Sequence, residues 1–437
     1  MKQYCVANRK ISFRSLCVIA AVAMAAPLLM AQAGQAPASE PGLPVGRVRI
    51  SPTIIHMEPG QQQRFKILKP NWLLSTTLME GVKWSVNDIP GGNAEIGTID
   101  SDGMYHAPKT APTPHEIQIC ADADGAPNRY LWATVIIGNQ PPTYKMVRDW
   151  PINRGKVRPV GGDNDVHSIT IDPNGNLIIT DEGTSHVWRY TPDGKRIGEI
   201  GLGPGGSQKP MAGGHFNSPR AVAVDAQGKI FVADQSTEGM IQVFSPDGKY
   251  LYRFGPKGTG PGQILRPHGL QFDAKGRLFV DDVDNFRISV FEDSGKFLYS
   301  WGHGNLKLGG LNPPHGIILD KNGDVFVGSY YGPAQKFTAD GEFLKAFAYP
   351  DPPDGPVYFH SIGGDRWGNI YLPVRAWKLN PDSYSIAKYN NNGDFVTTLR
   401  LTAGANQHVK WVAVAKDGTV YALYATPTTG VQVFKEQ

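Results

Sequence analysis

Between Arg266 and Trp301 the chain alternates short apolar runs with polar turns. A run opened by Pro267-His268-Gly269 reaches a turn at Ala274-Lys275-Gly276, and Leu278-Phe279-Val280 ends in aspartates. Ile288-Ser289-Val290-Phe291 reaches a second turn at Asp293-Ser294-Gly295, and a fourth run ends at Trp301. Glycine, aspartate and asparagine tolerate the positive φ that tight connections between antiparallel strands need. The segment therefore predicts four short strands.

The unit recurs. The glycine of its first turn marks it at Gly175, Gly228, Gly276, Gly323, Gly368 and Gly418, at intervals of 53, 48, 47, 45 and 50 residues. A unit of this length has two open edges and an apolar face it cannot bury alone, so copies pack radially about a channel. Six markers predict an all-β chain built on a six-bladed β-propeller over residues 143–437. Five units carry a second turn, at Gly194, Gly248, Gly295, Gly341 and Gly393; the sixth reads only as far as a third strand, Val431–Phe434. The run 143–150 is a spare strand that would complete it, with Trp150 at the place held by Phe254 and Trp301. Such an exchange leaves no open sheet edge.

Upstream the pattern differs. Residues 1–33 read as a signal peptide, with Lys2, Arg9, Lys10 and Arg14 before the apolar run Leu16–Met30 and a small-x-small site at Ala31-Gln32-Ala33. An uncleaved anchor is the alternative, but the run is short for a span and contains Pro27. No later stretch predicts a transmembrane segment. Residues 34–44 are a Gln/Ala/Pro-rich linker. Residues 45–138 alternate as short strands, among them Arg47–Ile50, Arg64–Ile67, Val82–Val86 and Leu131–Ile137, which predicts a small β-sandwich. Residues 139–142 form a hinge.

The formal charge of +4 arises wholly in the leader: removing its four basic residues leaves 39 Lys and Arg against 39 Asp and Glu. A neutral mature chain gives no electrostatic footprint for nucleic acid. Cys5 and Cys17 fall in the leader, so Cys120 alone remains and no intramolecular disulfide is possible. Together these features predict a secreted or periplasmic protein.

Two resemblances follow from these runs. ISPTIIHMEPGQQQRF and VKWSVNDIPGGNAEIGTIDSDGMYHAPKTAP resemble bacterial Ig-like domains, which implies a spacer or adhesive module with Trp84 packed without a disulfide. Phe231-Val232-Ala233-Asp234, Ile241-Gln242-Val243-Phe244 and Ser245-Pro246-Asp247-Gly248 resemble NHL repeats, which implies a propeller of NHL type. A fold alone does not assign a function.

Eight residues before the marker glycines stand His167, Arg220, His268, His315, His360 and Lys410. Each opens the innermost strand of its blade, so the six should ring one mouth of the channel. Any one of these histidines can be accounted for by a hydrogen bond to a neighbouring loop; the set is harder to dismiss. His167, His268 and His360 belong to alternate blades, and three neutral imidazoles with an open fourth position suit a catalytic zinc. His315 is then a fourth ligand, an outer partner or a base. Arg220 and Lys410 would repel a close cation yet bind a substrate carboxylate. Asp281, Asp282 and Asp284 offer oxygen donors for calcium, although acidic strand ends are common in such repeats.

The stretches HSITIDPNGNLIITDEGTSHVWRYTPDGK, GHFNSPRAVAVDAQGKIFVADQ and RPHGLQFD resemble peptidyl-α-hydroxyglycine α-amidating lyase. That resemblance implies an NHL propeller holding zinc with three histidines and cleaving a carbinolamide to a peptide amide and glyoxylate. The family motifs map onto Val166-His167-Ser168, Pro267-His268-Gly269 and Phe359-His360-Ser361. Departures accompany it. Ser236 stands where the family has a catalytic tyrosine, Val283 replaces an arginine, and Arg220 replaces an aspartate. Tyr330, Tyr331 and Arg375 are candidates to compensate. The competing expectation is a non-catalytic propeller on an Ig-like spacer, binding a small molecule, peptide or cell-wall ligand at its cationic mouth. An RNA-binding propeller is disfavoured by the neutral mature charge, and no acidic ligand set supports a lactone-hydrolysing one.

Overall fold

The computed structural model describes residues 48–437 except 71–75, 125–128, 139, 155–165, 206–211, 236–238, 306, 312, 330–332, 348–356, 360, 377–384, 402–407 and 426–428. Among the described residues the regular elements are strands, with one 3₁₀ turn at Val283–Asn285. Six sheets of the propeller follow one another along the chain. Blade one runs from Val166–Ile171 to Arg196–Ile200, blade two from Pro219–Val224 to Tyr250–Pro256, and blade three from Pro267–Phe272 to Phe297–Trp301. Blade four runs from Pro314–Leu319 to Phe343–Phe347, and blade five from Val357–Phe359 to Phe395–Arg400. Blade six comprises His408–Val414, Val420–Ala425 and Gly430–Glu436, and takes Tyr144–Pro151 as its outer strand. That strand pairs antiparallel with Gly430–Glu436, Tyr144 opposite Glu436 and Trp150 opposite Val431.

Local chemistry fixes the turns. Asp172, Asp225, Asp273, Asp320 and Asp365 each accept the backbone N–H groups two and four residues on. This bends the chain into the first turn and leaves its glycine at positive φ, as at Gly276 (77°). The second-turn glycines serve a different purpose. A Cβ on Gly194, Gly295 or Gly341 would lie 2.6 Å from the ring of Trp150, Phe254 or Trp301. Each outer-strand aromatic is thus seated on the bare backbone of the next blade.

The core is six apolar layers, one between each pair of neighbouring blades. Ile178, Val187 and Ile200 of blade one meet Val222, Ile230 and Val232 of blade two; Trp150, Leu423 and Val431 of blade six meet Ile169, Leu177 and Ile179 of blade one. Because blades are covered on both faces, second strands such as Leu177–Asp181 and Ile230–Asp234 are buried throughout.

Residues 48–137 form a separate β-module of three sheets. Phe65, Ile67, Val86, Tyr105, Ile117, Ile119 and Val135 are its core, with Trp84 packed against it. Cys120 is buried there, and burial pushes its thiol up to about 12. The module and propeller belong to one unit, Leu43–Gln437. Asn322 binds the backbone of Tyr130, Asn390 donates to Thr53 O and Asn392 to Trp132 O. At the seam Lys388 of blade five pairs with Glu116 at 2.5 Å, both side chains at most 4% exposed. Lys388 also donates to Tyr144 Oη, and the Glu116 N–H donates to Glu436. These contacts use the strand ends and turns of the face on which the marker glycines lie. The mouth residues lie at the opposite ends of their strands.

Among the described residues no helix is long and apolar enough to cross a membrane.

Candidate functional site

A β-bulge aims each described mouth residue. Pairing of the inner strand with its neighbour shifts register between Val166 and Ile169, Pro219 and Ala221, Pro267 and Leu270, Pro314 and Ile317, and Val409 and Trp411. These five intervals contain His167, Arg220, His268, His315 and Lys410. An extra residue in one strand turns its side chain out of the regular alternation, here where the strand opens at the channel.

Three imidazoles gather there. The His167 and His268 rings, from blades one and three, meet edge to face with centroids 4.6 Å apart. The His315 ring is tilted against that of His268, with centroids 3.7 Å apart. All three histidines are buried, as is Lys410. His360 lies outside the described residues, as do Ser236, Tyr330 and Tyr331; Arg375 lies in strand Ile370–Ala376. Two of the expected metal ligands are therefore adjacent. As neutral nitrogen donors they fit a transition ion in kind. Among the described residues, however, no three His, Cys, Asp or Glu side chains are arranged to hold a metal.

Arg220 is not an isolated cation. One of its terminal nitrogens donates to Glu182 Oε1 at 2.9 Å, and Ser218 Oγ donates to the same oxygen. Glu182 Oε2 lies 3.8 Å from His167 Nε2 and has no hydrogen-bond partner. Glu182 thus sits between the cation and the imidazole. Sequence reasoning missed it, although its position directly after the second strand of blade one was readable.

The three aspartates considered for calcium are each engaged by protein donors. Asp281 is fully enclosed and accepts the N–H groups of His268 (2.8 Å), Gly269 and Gly316 (2.6 Å). Burial pushes its carboxyl up to about 7 against those donors. Asp282 accepts from Leu265 N, Arg266 N and Asn285, while Asp284 pairs with Arg266 at 2.7 Å. The channel also holds a cavity of about 270 Å³ whose lining mixes Ile169, Leu270 and Trp411 with Gln271, Asp365 and Arg366. Trp411 approaches His268 at 6.4 Å between ring centroids.

A family model described as a 6-bladed beta-propeller matches residues 220–285. Peptidyl-glycine alpha-amidating monooxygenase of Mus musculus is 34% identical over 132 residues, covering 28% of this chain and 13% of that protein. Peptidyl-alpha-hydroxyglycine alpha-amidating lyase 1 of Drosophila melanogaster is 30% identical over 122 residues, 28% of this chain and 21% of that one. NHL repeat-containing protein 3 of Homo sapiens is 30% identical over 119 residues, 26% of this chain and 34% of that one. The chain thus spans between about an eighth and a third of the length of these relatives. It is a six-bladed β-propeller with similarity to amidating enzymes and NHL-repeat proteins.

Proposed function

We propose that this is a secreted or periplasmic NHL-type propeller whose mouth holds zinc through His167, His268 and His360 and acts as a lyase on carbinolamides of the peptidyl-α-hydroxyglycine class. The observation that carries this reading is the convergence of the His167 and His268 rings, 4.6 Å apart, from two non-adjacent blades. The similarity to amidating lyases supports it. Zinc bound there would supply a Lewis acid for the carbinol oxygen or the carboxylate of the substrate.

The protein's own groups account for the rest. Lys410 and the remaining donors of Arg220 bind the substrate carboxylate. Glu182 Oε2, unpaired 3.8 Å from His167 Nε2, is in this reading the acceptor of the hydroxyl proton as the C–N bond breaks. Glu182 then gives that proton to the departing amide nitrogen, and glyoxylate leaves as the aldehyde. In this reading the upstream module is an Ig-like domain docked on the far face, leaving the mouth open.

The test is metal content of the purified mature protein, measured by mass spectrometry beside a His167→Ala/His268→Ala/His360→Ala variant. Near-stoichiometric zinc lost in the variant, with glyoxylate released from α-hydroxyglycine peptides, supports the proposal. No metal in either protein after incubation with zinc overturns it. The cationic pair Arg220 and Lys410 favours one other reading, a non-catalytic module for an anionic peptide or wall ligand. That reading requires binding that weakens at high salt and persists without metal.

A further inference from the structure

Asp281 occupies the fifth position after the marker glycine of blade three. The equivalent residues are Thr180, Ala233, Gly328, Pro373 and Leu423. Only two of the six carry a hydrogen-bonding side chain, and both reach across to the next blade. Thr180 Oγ1 accepts the Ser168 N–H, beside His167, and donates to Arg220 O of blade two. Asp281 takes the N–H groups of His268 and Gly269 on one oxygen and that of Gly316, beside His315, on the other. A Cβ on Gly269 would lie 2.8 Å from Asp281 Oδ2 and 3.0 Å from Gly316 Cα, so the two bulges and the carboxylate are in close contact. The remaining four positions carry no such link. One link thus joins the bulges of His167 and Arg220, and the other joins the bulges of His268 and His315, whose rings are 3.7 Å apart between centroids.

We propose that Asp281 is a positioning residue for the mouth: by joining the blade-three bulge to the blade-four bulge it fixes how His268 and His315 present their rings to a bound ligand. A carboxylate is suited to this because it accepts on both oxygens, and three backbone donors converge on it from two blades. Asparagine is nearly its shape but has one accepting oxygen. Its amide nitrogen would face a backbone N–H, so one arm of the bridge is lost while the packing is kept. The inference rests on the mouth being a ligand site, and uses Co²⁺ as the probe.

The experiment compares the full chain with Asp281→Asn and Asp282→Asn. Asp282 is equally buried and binds two backbone N–H groups, but touches no mouth histidine. Co²⁺ affinity, the visible cobalt spectrum and the melting temperature of the metal-free proteins are measured together. Loss of an outer partner that orients a ligand histidine lowers metal affinity about 10- to 100-fold. That loss, with an altered cobalt spectrum, is expected in Asp281→Asn and not in Asp282→Asn, whatever their melting temperatures. Unchanged affinity and spectrum in Asp281→Asn overturn the proposal. If the wild-type chain takes up no Co²⁺, the metal reading of the mouth fails by itself. The positioning role is then decided by long-range ¹H–¹⁵N spectra of the imidazoles in the metal-free proteins. Displacement of the His268 and His315 signals in Asp281→Asn alone supports it, and unmoved signals refute it. Asp281→Thr, carrying the residue of blade one, serves if asparagine prevents folding.

Discussion

Replacing Lys388 by methionine tests how firmly the module and propeller are joined. In the native protein its ammonium contacts Glu116 at 2.5 Å and Tyr144 Oη at 3.0 Å, over the ring of Tyr371 at 5.3 Å. Burial opposes the charge, yet the neighbouring carboxylates, Glu116 foremost, hold its pKa well above the usual lysine value. Methionine fills the volume but strands Glu116, whose side chain is 4% exposed. Removing one partner of a buried pair costs about 3–5 kcal/mol, because the other charge stays buried without compensation. For a unit running from Leu43 to Gln437, an unfolding entropy of ~2.1 cal/mol/K per residue gives ~0.8 kcal/mol/K. A loss of ~4 kcal/mol therefore lowers the melting temperature by ~5 °C. Calorimetry should show that shift in Lys388→Met, with most of it recovered in Glu116→Gln/Lys388→Met, where the carboxylate in direct contact with the lysine is gone as well. A shift below ~1 °C, or a double variant no better than the single one, would refute the reasoning.

Two further outcomes follow from the same geometry. Burial, opposed by Lys388, raises Glu436 to about 7 and Asp365 to about 6, from 4.5 and 3.8. The fold then holds protons that the unfolded chain has released, so stability falls as pH rises from about 4 to about 7. Glu436→Gln keeps an oxygen for the Glu116 N–H and should flatten that slope; melting curves with wild-type and variant parallel across this range would exclude the assignment. Gly341→Ala places a Cβ at φ 91° against Trp301 and should cost ~3 kcal/mol in urea unfolding. Gly276→Ala, at φ 77° with nothing within 4 Å, should cost only ~1 kcal/mol. Equal losses would show that strain in the turn, and not the aromatic seat, determines the choice of glycine.

The blade pattern was legible because each unit spends its glycines and aspartates at fixed offsets, and those residues act on their immediate neighbours. Gly276 and Asp273 settle one turn without help from elsewhere in the chain. Trp150, Phe254 and Trp301, read as equivalents, rest on Gly194, Gly295 and Gly341. The site was less legible. Counting back from the glycines finds His167 and His268, but the bulges that turn them inward depend on pairing with a neighbouring strand. Asp281, taken for one of an acidic triplet, owes its role to Gly316 in the next blade, 35 residues away. Glu182 and Arg220 are 38 residues apart, and Glu116 and Lys388 are 272 apart. No local pattern marks such partners, because neither residue of a pair is unusual where it stands.

The outer strand of blade six also bears on how the molecule is made. Tyr144 and Glu436 are 292 positions apart, so this ladder cannot form until nearly the whole propeller has been synthesised. Bringing such distant segments together carries a high loop-closure cost that is repaid only at the end, which makes it a slow step. Once made, and until the ladder closes, Gly430–Glu436 presents an unpaired edge open to the Tyr144–Pro151 strand of a second molecule. Refolding at high concentration should accordingly give linked dimers, and refolding at high dilution should give monomers.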